Sequence, residues 1–265
     1  MILDELASLT RKRIELQKQG YSLDNIKRDA ELLAAREVAY NFEEALSKEG
    51  LSIISEVKKA SPSKGVIAED FPFLDIAKEY ETAGADAVSC LTEPDRFKGS
   101  DAYLQEIASS IKLPVLRKDF TIDPYMIYQA RMMGASAVLL IAAILSDAEL
   151  AEYFEIAEGL GLSCLFEAHD EEEVKRCLAA GARIVGVNNR NLKDFTVDIN
   201  NCINLRRFVP ENVIFVAESG IKTSEDIEML RRAGVNAVLI GETLMRAEDK
   251  KAILEELRFG RKNDR

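Results

Sequence analysis

One rhythm dominates this chain from residue 52 onward: short apolar, β-branched runs alternate with amphipathic helical stretches. The runs fall at 52–57, 87–91, 115–118, 137–141, 163–167, 184–188, 213–218 and 237–240. Helical patterns follow at 73–83, 101–110, 124–133, 147–159, 171–180, 199–207, 224–233 and 243–257. Strands that alternate with helices lie parallel, because a helical crossover returns the chain to the same end of the sheet. Eight such units in 265 residues favour a closed (β/α)8 TIM barrel, an α/β fold, over an open doubly wound sheet.

A helix-stop signal recurs in the same units. Ala83-Gly84-Ala85, Met133-Gly134-Ala135, Ala180-Gly181-Ala182 and Ala233-Gly234-Val235 each put glycine just past a helix and just before an apolar run. Glycine tolerates the left-handed conformation that closes a helix. The first 48 residues differ. Leu3, Leu6 and Leu9 recur at helical spacing, Gly20 interrupts, and a second charged, helix-favouring stretch runs over 24–47. We read 1–48 as an N-terminal helical extension and 49–265 as the barrel, together one domain.

The net charge of −11 argues against nucleic acid and anionic membrane partners, though a local site can oppose the global sign. Asp4 and Glu5 stand where a signal peptide would be apolar, and 137–145 is far too short to span a bilayer. A cytoplasmic location is expected. The four cysteines show no C-x-x-C spacing and read as buried thiols in a reduced compartment. His169 is the only histidine, so neither a histidine triad nor a multi-histidine metal site is expected. It reads as a polar residue before a helix N-cap, with Asp170 and Glu173 at capping-box-like spacing.

Active sites of (β/α)8 barrels lie at the C-terminal ends of the strands. There the sequence offers Glu56 and Lys58, Lys118, Glu167, Asn188 with Arg190 close behind, and Glu218 followed by Ser219-Gly220. Strand side chains alternate faces, and barrel interiors fill in layers of four from alternate strands. Ile54, Leu116, Leu165 and Val216 then form an apolar layer, with Glu56, Lys118, Glu167 and Glu218 as the layer above. Three acids and a lysine over an apolar floor must pair to offset desolvation, and Lys58, Lys118 and Arg190 are the available cations. The loops Ser219-Gly220-Ile221 and Gly241-Glu242-Thr243 suit a phosphate, because glycine lets backbone N–H groups approach an anion. Glu242 would contribute its N–H with its carboxylate turned away. Two ordinary turn glycines are the alternative.

The motifs themselves resemble those of the indole-3-glycerol phosphate synthase family. They are Glu56-Val57-Lys58-Lys59-Ala60-Ser61-Pro62-Ser63, Leu116-Arg117-Lys118-Asp119-Phe120, Phe166-Glu167-Ala168-His169-Asp170, Gly186-Val187-Asn188-Asn189-Arg190-Asn191-Leu192, Ala217-Glu218-Ser219-Gly220-Ile221 and Leu239-Ile240-Gly241-Glu242. The resemblance runs over about 2–258. It implies closure of the indole ring of 1-(2-carboxyphenylamino)-1-deoxyribulose 5-phosphate with loss of carbon dioxide and water, in tryptophan biosynthesis. No metal and no organic cofactor is implied.

By the same resemblance Lys118 is the general acid on the ketone oxygen and Glu167 the usual base. Glu56 and Lys58 are the competing acid/base candidates, while Asn188 and Glu218 orient hydroxyls and lysines. Ser61 and Arg190 would hold polar ends of the substrate, the carboxylate above all. Ser219, Gly220, Gly241 and Glu242 would bind phosphate with Lys58 nearby. Phe97, Phe120, Leu139 and Leu192 would wall the anthranilate ring, with plain core packing as the alternative. A monomer or at most a weak homodimer is expected. Phosphoribosylanthranilate isomerase is the nearest rival, but that family carries a cysteine after strand 1, where this chain has Glu56 and Lys58. A non-catalytic barrel that binds a phosphorylated ligand would need the glycine loops and not the Lys118–Glu167 pair.

Overall fold

Eight parallel strands close on one another in the computed structural model, which describes residues 2–39, 41–191 and 194–260. They are β1 (Ser52–Val57), β2 (Ala87–Leu91), β3 (Val115–Lys118), β4 (Ala137–Ile141), β5 (Ser163–Ala168), β6 (Ile184–Asn188), β7 (Ile214–Glu218) and β8 (Ala237–Ile240). Each pairs with its sequence neighbours, and β1 also pairs with β8, so that Ile54 faces both Ala87 and Leu239. This is the (β/α)8 barrel that the alternation implies.

The helices are α1 (Ile2–Gly20), α2 (Leu23–Ala34), α3 (Phe42–Leu46), α4 (Phe73–Thr82), α5 (Asp101–Ser110), α6 (Pro124–Met132), α7 (Asp147–Gly159), α8 (Glu171–Ala179), α9 (Asn200–Leu205), α10 (Ser224–Arg232), α11 (Glu242–Arg246) and α12 (Lys250–Phe259). Their starts follow local chemistry. Ser146 and Thr223 form capping boxes with Glu149 and Asp226, and Asp123 caps α6, whose first residue is proline. Their ends follow the glycine repeat. Gly84, Gly134, Gly181 and Gly234 all have φ between +81° and +93°, and the next residue donates its N–H back to the helix in each case.

Three helical expectations need correction. The stretch 24–47 is not continuous: α2 ends at Ala34, and Asn41 starts α3 afresh by accepting from the Glu44 N–H. The expected helix 243–257 is two helices, because Ala247 is extended and Asp249 caps α12 through the Ala252 N–H. The expected helix 199–207 keeps its span but is α-helical only over α9, its last turn being a 3-10 turn at Arg206–Phe208. A two-residue antiparallel ladder, Ala60–Ser61 with Gly65–Val66, follows β1 and had no signature in the sequence.

Two apolar cores result. The outer one packs strand residues such as Val88, Val138, Phe166 and Phe215 under the helices. The inner one fills the barrel with Ile54, Leu116, Leu165 and Val216, joined by small or aliphatic residues of the even strands. Phe42 and Leu46 of α3, and Leu3 and Leu6 of α1, belong to this inner core. Ser52, the first residue of β1, donates its hydroxyl to the Ala45 carbonyl, which sets α3 at the N-terminal end of the barrel. All four cysteines are buried, and burial pushes their thiols up. No helix among the described residues is long and apolar enough to cross a membrane.

Candidate active site

Above the apolar layer the odd strands present Glu56, Lys118, Glu167 and Glu218, in the register that period-two alternation requires. The three carboxylates are buried. Lys118 Nζ donates to Glu167 Oε2 at 2.9 Å and lies 3.4 Å from Glu218 Oε2. Asn188 Nδ2 donates to the other Glu167 oxygen at 3.3 Å, and its own Oδ1 accepts the Arg190 N–H at 3.0 Å. Glu56 pairs with Lys58 on the same strand end.

Burial alone would neutralise these groups, but their mutual charges decide the outcome. Lys118 is held well above the ordinary lysine value: burial opposes its charge, and Glu167, Glu218 and Glu56 outweigh burial. Burial pushes Glu167 up, yet the charges of Lys118 and His169 and the bonds from Lys118 and Asn188 drive it below the usual carboxylate range. Glu218 moves the other way. Burial and the negative charges of Glu167 and Glu56 raise it despite Lys118. Two adjacent carboxyl groups are thus driven apart in acidity, the arrangement that lets one site hold both an acid and a base.

Glycines make room for this layer. A Cβ on Gly186 of β6 would overlap the Glu218 carboxylate and come within 3.1 Å of Leu165 Cδ1. A Cβ on Gly241 would overlap the Glu56 carboxylate and lie 2.8 Å from Lys58 Nζ. The glycine loop after β8 therefore backs directly onto the Glu56–Lys58 pair. Ser219 and Gly220 take φ of +66° and +87°, a left-handed turn at the end of β7. The Thr243 hydroxyl donates to the Ile221 carbonyl at 2.8 Å, tying the two loops together. The Glu242 carboxylate is turned toward Lys64 at 3.6 Å and Arg246 at 3.2 Å.

One cavity of about 860 Å³ gathers these residues. Glu56, Lys58, Lys118, Glu167, Asn188 and Glu218 line it, as do Ser61 and Arg190. Phe97, Phe120 and Leu139 form apolar wall, with the two rings 6.3 Å apart. Ser219, Gly220, Gly241 and Glu242 line the same cavity, while Leu192 lies outside the described residues. The sequence reading missed others. Leu3 and Leu6 of α1 line the cavity, as do the cations Lys64, Lys222 and Arg246. It also missed that His169 touches Glu167, although alternation along β5 puts residues 167 and 169 on one face.

Fold and site together define a barrel enzyme with an ionisable layer at the C-terminal strand ends and glycine loops beside it. A family model described as indole-3-glycerol phosphate synthase matches residues 3–257. The chain is 57% identical over 258 residues to the indole-3-glycerol phosphate synthase of Ruminiclostridium cellulolyticum, covering 97% of this chain and 99% of that one. It is 55% identical to the enzyme of the same name from Endomicrobium trichonymphae, covering 97% and 100%. Among solved structures, 3-hexulose-6-phosphate synthase from Salmonella typhimurium aligns with a TM-score of 0.65 at 13% identity, over 78% of this chain and 97% of that one, a likeness of fold alone. The chain belongs to the indole-3-glycerol phosphate synthase family, and with it to the decarboxylating lyases of tryptophan biosynthesis.

Proposed function

We propose that the Lys118–Glu167–Glu218 cluster carries out the indole ring closure of 1-(2-carboxyphenylamino)-1-deoxyribulose 5-phosphate, with loss of carbon dioxide and water. The observation that carries this reading is a lysine held protonated by buried carboxylates above an apolar floor. The aromatic carbon that bears the carboxylate is a weak nucleophile, so the ketone must be activated. Lys118 gives its proton to the ketone oxygen as the new carbon–carbon bond forms, and its charge meets the negative charge developing there. Loss of carbon dioxide then returns its bonding electrons to the ring and restores aromaticity. Dehydration needs a base for a ring proton and an acid for the departing hydroxyl. Glu167, kept ionised, is the base. Glu56 and Lys58 are the candidates for the acid. Glu218 orients Lys118 and, held above the usual carboxylate range, can return a proton to it.

Ser61 and Arg190 hold the substrate carboxylate, and Asn188 orients its hydroxyls. Ser219, Gly220, Gly241 and Glu242 bind the phosphate through backbone N–H groups, with Lys58 behind Gly241. Phe97, Phe120 and Leu139 wall the aromatic ring. Residues 1–48 and the barrel act as one domain, which the shared inner core of Leu3, Leu6, Phe42 and Leu46 supports. The protein works in the cytoplasm on this small phosphorylated molecule, as a monomer or weak homodimer.

The chain has no tryptophan, so an indole product stands out against tyrosine emission. Adding the ribulose substrate to the wild-type protein produces indole fluorescence, and Lys118→Met abolishes it. A folded wild-type protein that gives no such signal overturns the reading.

A further inference from the structure

The single histidine lies between two carboxylates. His169 Nδ1 is 3.1 Å from Glu173 Oε2, and the same oxygen accepts the His169 backbone N–H at 2.8 Å. On the other side of the ring, Nε2 lies 3.4 Å from Glu167 Oε1. Asp170 caps α8 as expected, but the Glu173 side chain turns to His169 rather than closing a capping box. Asn201 on α9 fixes the His169 carbonyl at 3.2 Å. These contacts hold the ring in place from α8, α9 and its own strand end.

The protonation of the ring follows from what its neighbours can do. A carboxylate only accepts, so the contact to Glu173 requires the proton on Nδ1. A neutral ring would then set the bare Nε2 lone pair 3.4 Å from a Glu167 carboxylate oxygen. Nε2 is buried from bulk solvent and makes no hydrogen bond to the described residues, so no protein donor relieves that opposition. A second proton on Nε2 turns the opposition into a charge-assisted contact.

We propose that His169 is a positioning residue, held as an imidazolium between Glu173 and Glu167, which fixes the charge and orientation of the Glu167 carboxylate. Glu167 then has a cation on each oxygen: Lys118 on Oε2, and His169, with Asn188, on Oε1. The catalytic consequence rests on Glu167 being the base; the bridge itself does not. The charged groups facing the ring are Glu167 of β5, Glu173 of α8 and Glu218 of β7, with Lys118 of β3 beyond the Glu167 carboxylate. Burial pulls the imidazole down, but the Glu173 bond and these negative charges outweigh it and raise the group above its ordinary value. The bridge is therefore intact below the unfolded value near ~6.5 and is lost as pH rises through the raised one.

Because His169 is the only histidine, its ring can be read without assignment by long-range proton–nitrogen NMR of the labelled full-length protein. In wild type both ring nitrogens carry protons at neutral pH, and the titration midpoint lies above the ordinary histidine value. Glu173→Gln and Glu167→Gln each lower the midpoint. His169→Asn lowers kcat about tenfold, less than the ~10²–10⁴-fold of a group that transfers the proton itself, with KM changed less than about twofold, and it removes one inflection from the pH profile of kcat. A neutral ring protonated only on Nδ1, or a midpoint that Glu167→Gln leaves in place, overturns the bridge. Retained turnover in Glu167→Gln rejects the base assignment instead, so the two failures are distinguishable.

Discussion

The half-buried Lys118 ammonium and the buried Glu167 carboxylate meet at 2.9 Å, at the C-terminal ends of two strands that are not neighbours in the barrel. Their pairing holds an otherwise unfavourable layer together. Glu56 and Glu218 carry like charge close by, and only Lys118 stands among all three. Lys118→Met should therefore abolish turnover and also destabilise the fold at pH 8, by about 3–5 kcal/mol as for other broken buried pairs. The sign with pH follows. Glu167 is held below its ordinary value in wild type, so its contribution is present above that value and lost as pH falls. In the variant the carboxylates repel without the cation they share, and acidification relieves them. Urea unfolding at pH 5 and pH 8 checks this: the deficit should be larger at pH 8.

Glu218→Gln should separate stability from activity. The Glu218 carboxyl is raised above the ordinary range, and its Oε1 is buried without a hydrogen-bond partner. A raised carboxyl favours the fold while it is protonated, and that advantage is lost as pH rises through the folded value. Glutamine mimics the protonated form at every pH. The variant should gain stability at pH 8, by about 3 kcal/mol for a carboxyl raised from 4.5 to about 7, and gain nothing at pH 4. Turnover should fall, because Lys118 loses the group that orients it. Equal melting temperatures of wild type and variant across this range would contradict the assignment.

Gly186→Ala tests the space behind the layer. The new Cβ would overlap the Glu218 carboxylate and crowd Leu165, so the carboxylate must swing away from Lys118. Overpacking of this kind costs about 1–3 kcal/mol. The activity loss should be larger in proportion, on the order of 10²-fold in kcat, as expected for a displacement of about 1 Å in a catalytic group. Gly241→Ala displaces the Glu56–Lys58 pair beside the loop proposed to bind phosphate, and its effect should appear first in KM. Steady-state kinetics on the two variants resolves kcat from KM.

These residues also mark how far the sequence could be read. Period-two alternation is a local property, so the strands, the apolar floor and the layer above it were legible from one chain. The glycine stops were legible because only a left-handed residue closes those helices. The break between α11 and α12 carries no glycine or proline; it depends on Asp249 preferring a cap to a helix interior, which continuous apolar spacing conceals. Phe42 and Leu46 look like any amphipathic pair until the barrel offers them an interior to fill. His169 is the instructive case. The rule that grouped Glu56 with Lys58 also groups Glu167 with His169, but its capping neighbours suggested a purely structural role.

The N-terminal extension carries the remaining prediction. Arg13 of α1 contacts both oxygens of Asp119, at 2.9 and 2.8 Å, and Asp119 directly follows Lys118. Asp119 is buried, and it also accepts from Thr92 at 2.6 Å and lies 3.7 Å from Arg117. Burial would raise this carboxyl, but Arg13 and Arg117 hold it below the usual range. Its contribution is thus present above the ordinary carboxylate value and lost as pH falls through the folded one. Arg13→Met keeps the length of the side chain and removes the charge. Asp119 retains Thr92 and Arg117, so the cost should be about 1–3 kcal/mol at pH 7 rather than the full penalty of an unpaired ion. The same contact holds α1 against the cavity that its Leu3 and Leu6 line. KM should therefore rise severalfold in Arg13→Met, and faster hydrogen exchange should appear in α1 but not in β3. A variant that loses stability with unchanged KM would mean that α1 braces the barrel without shaping the site.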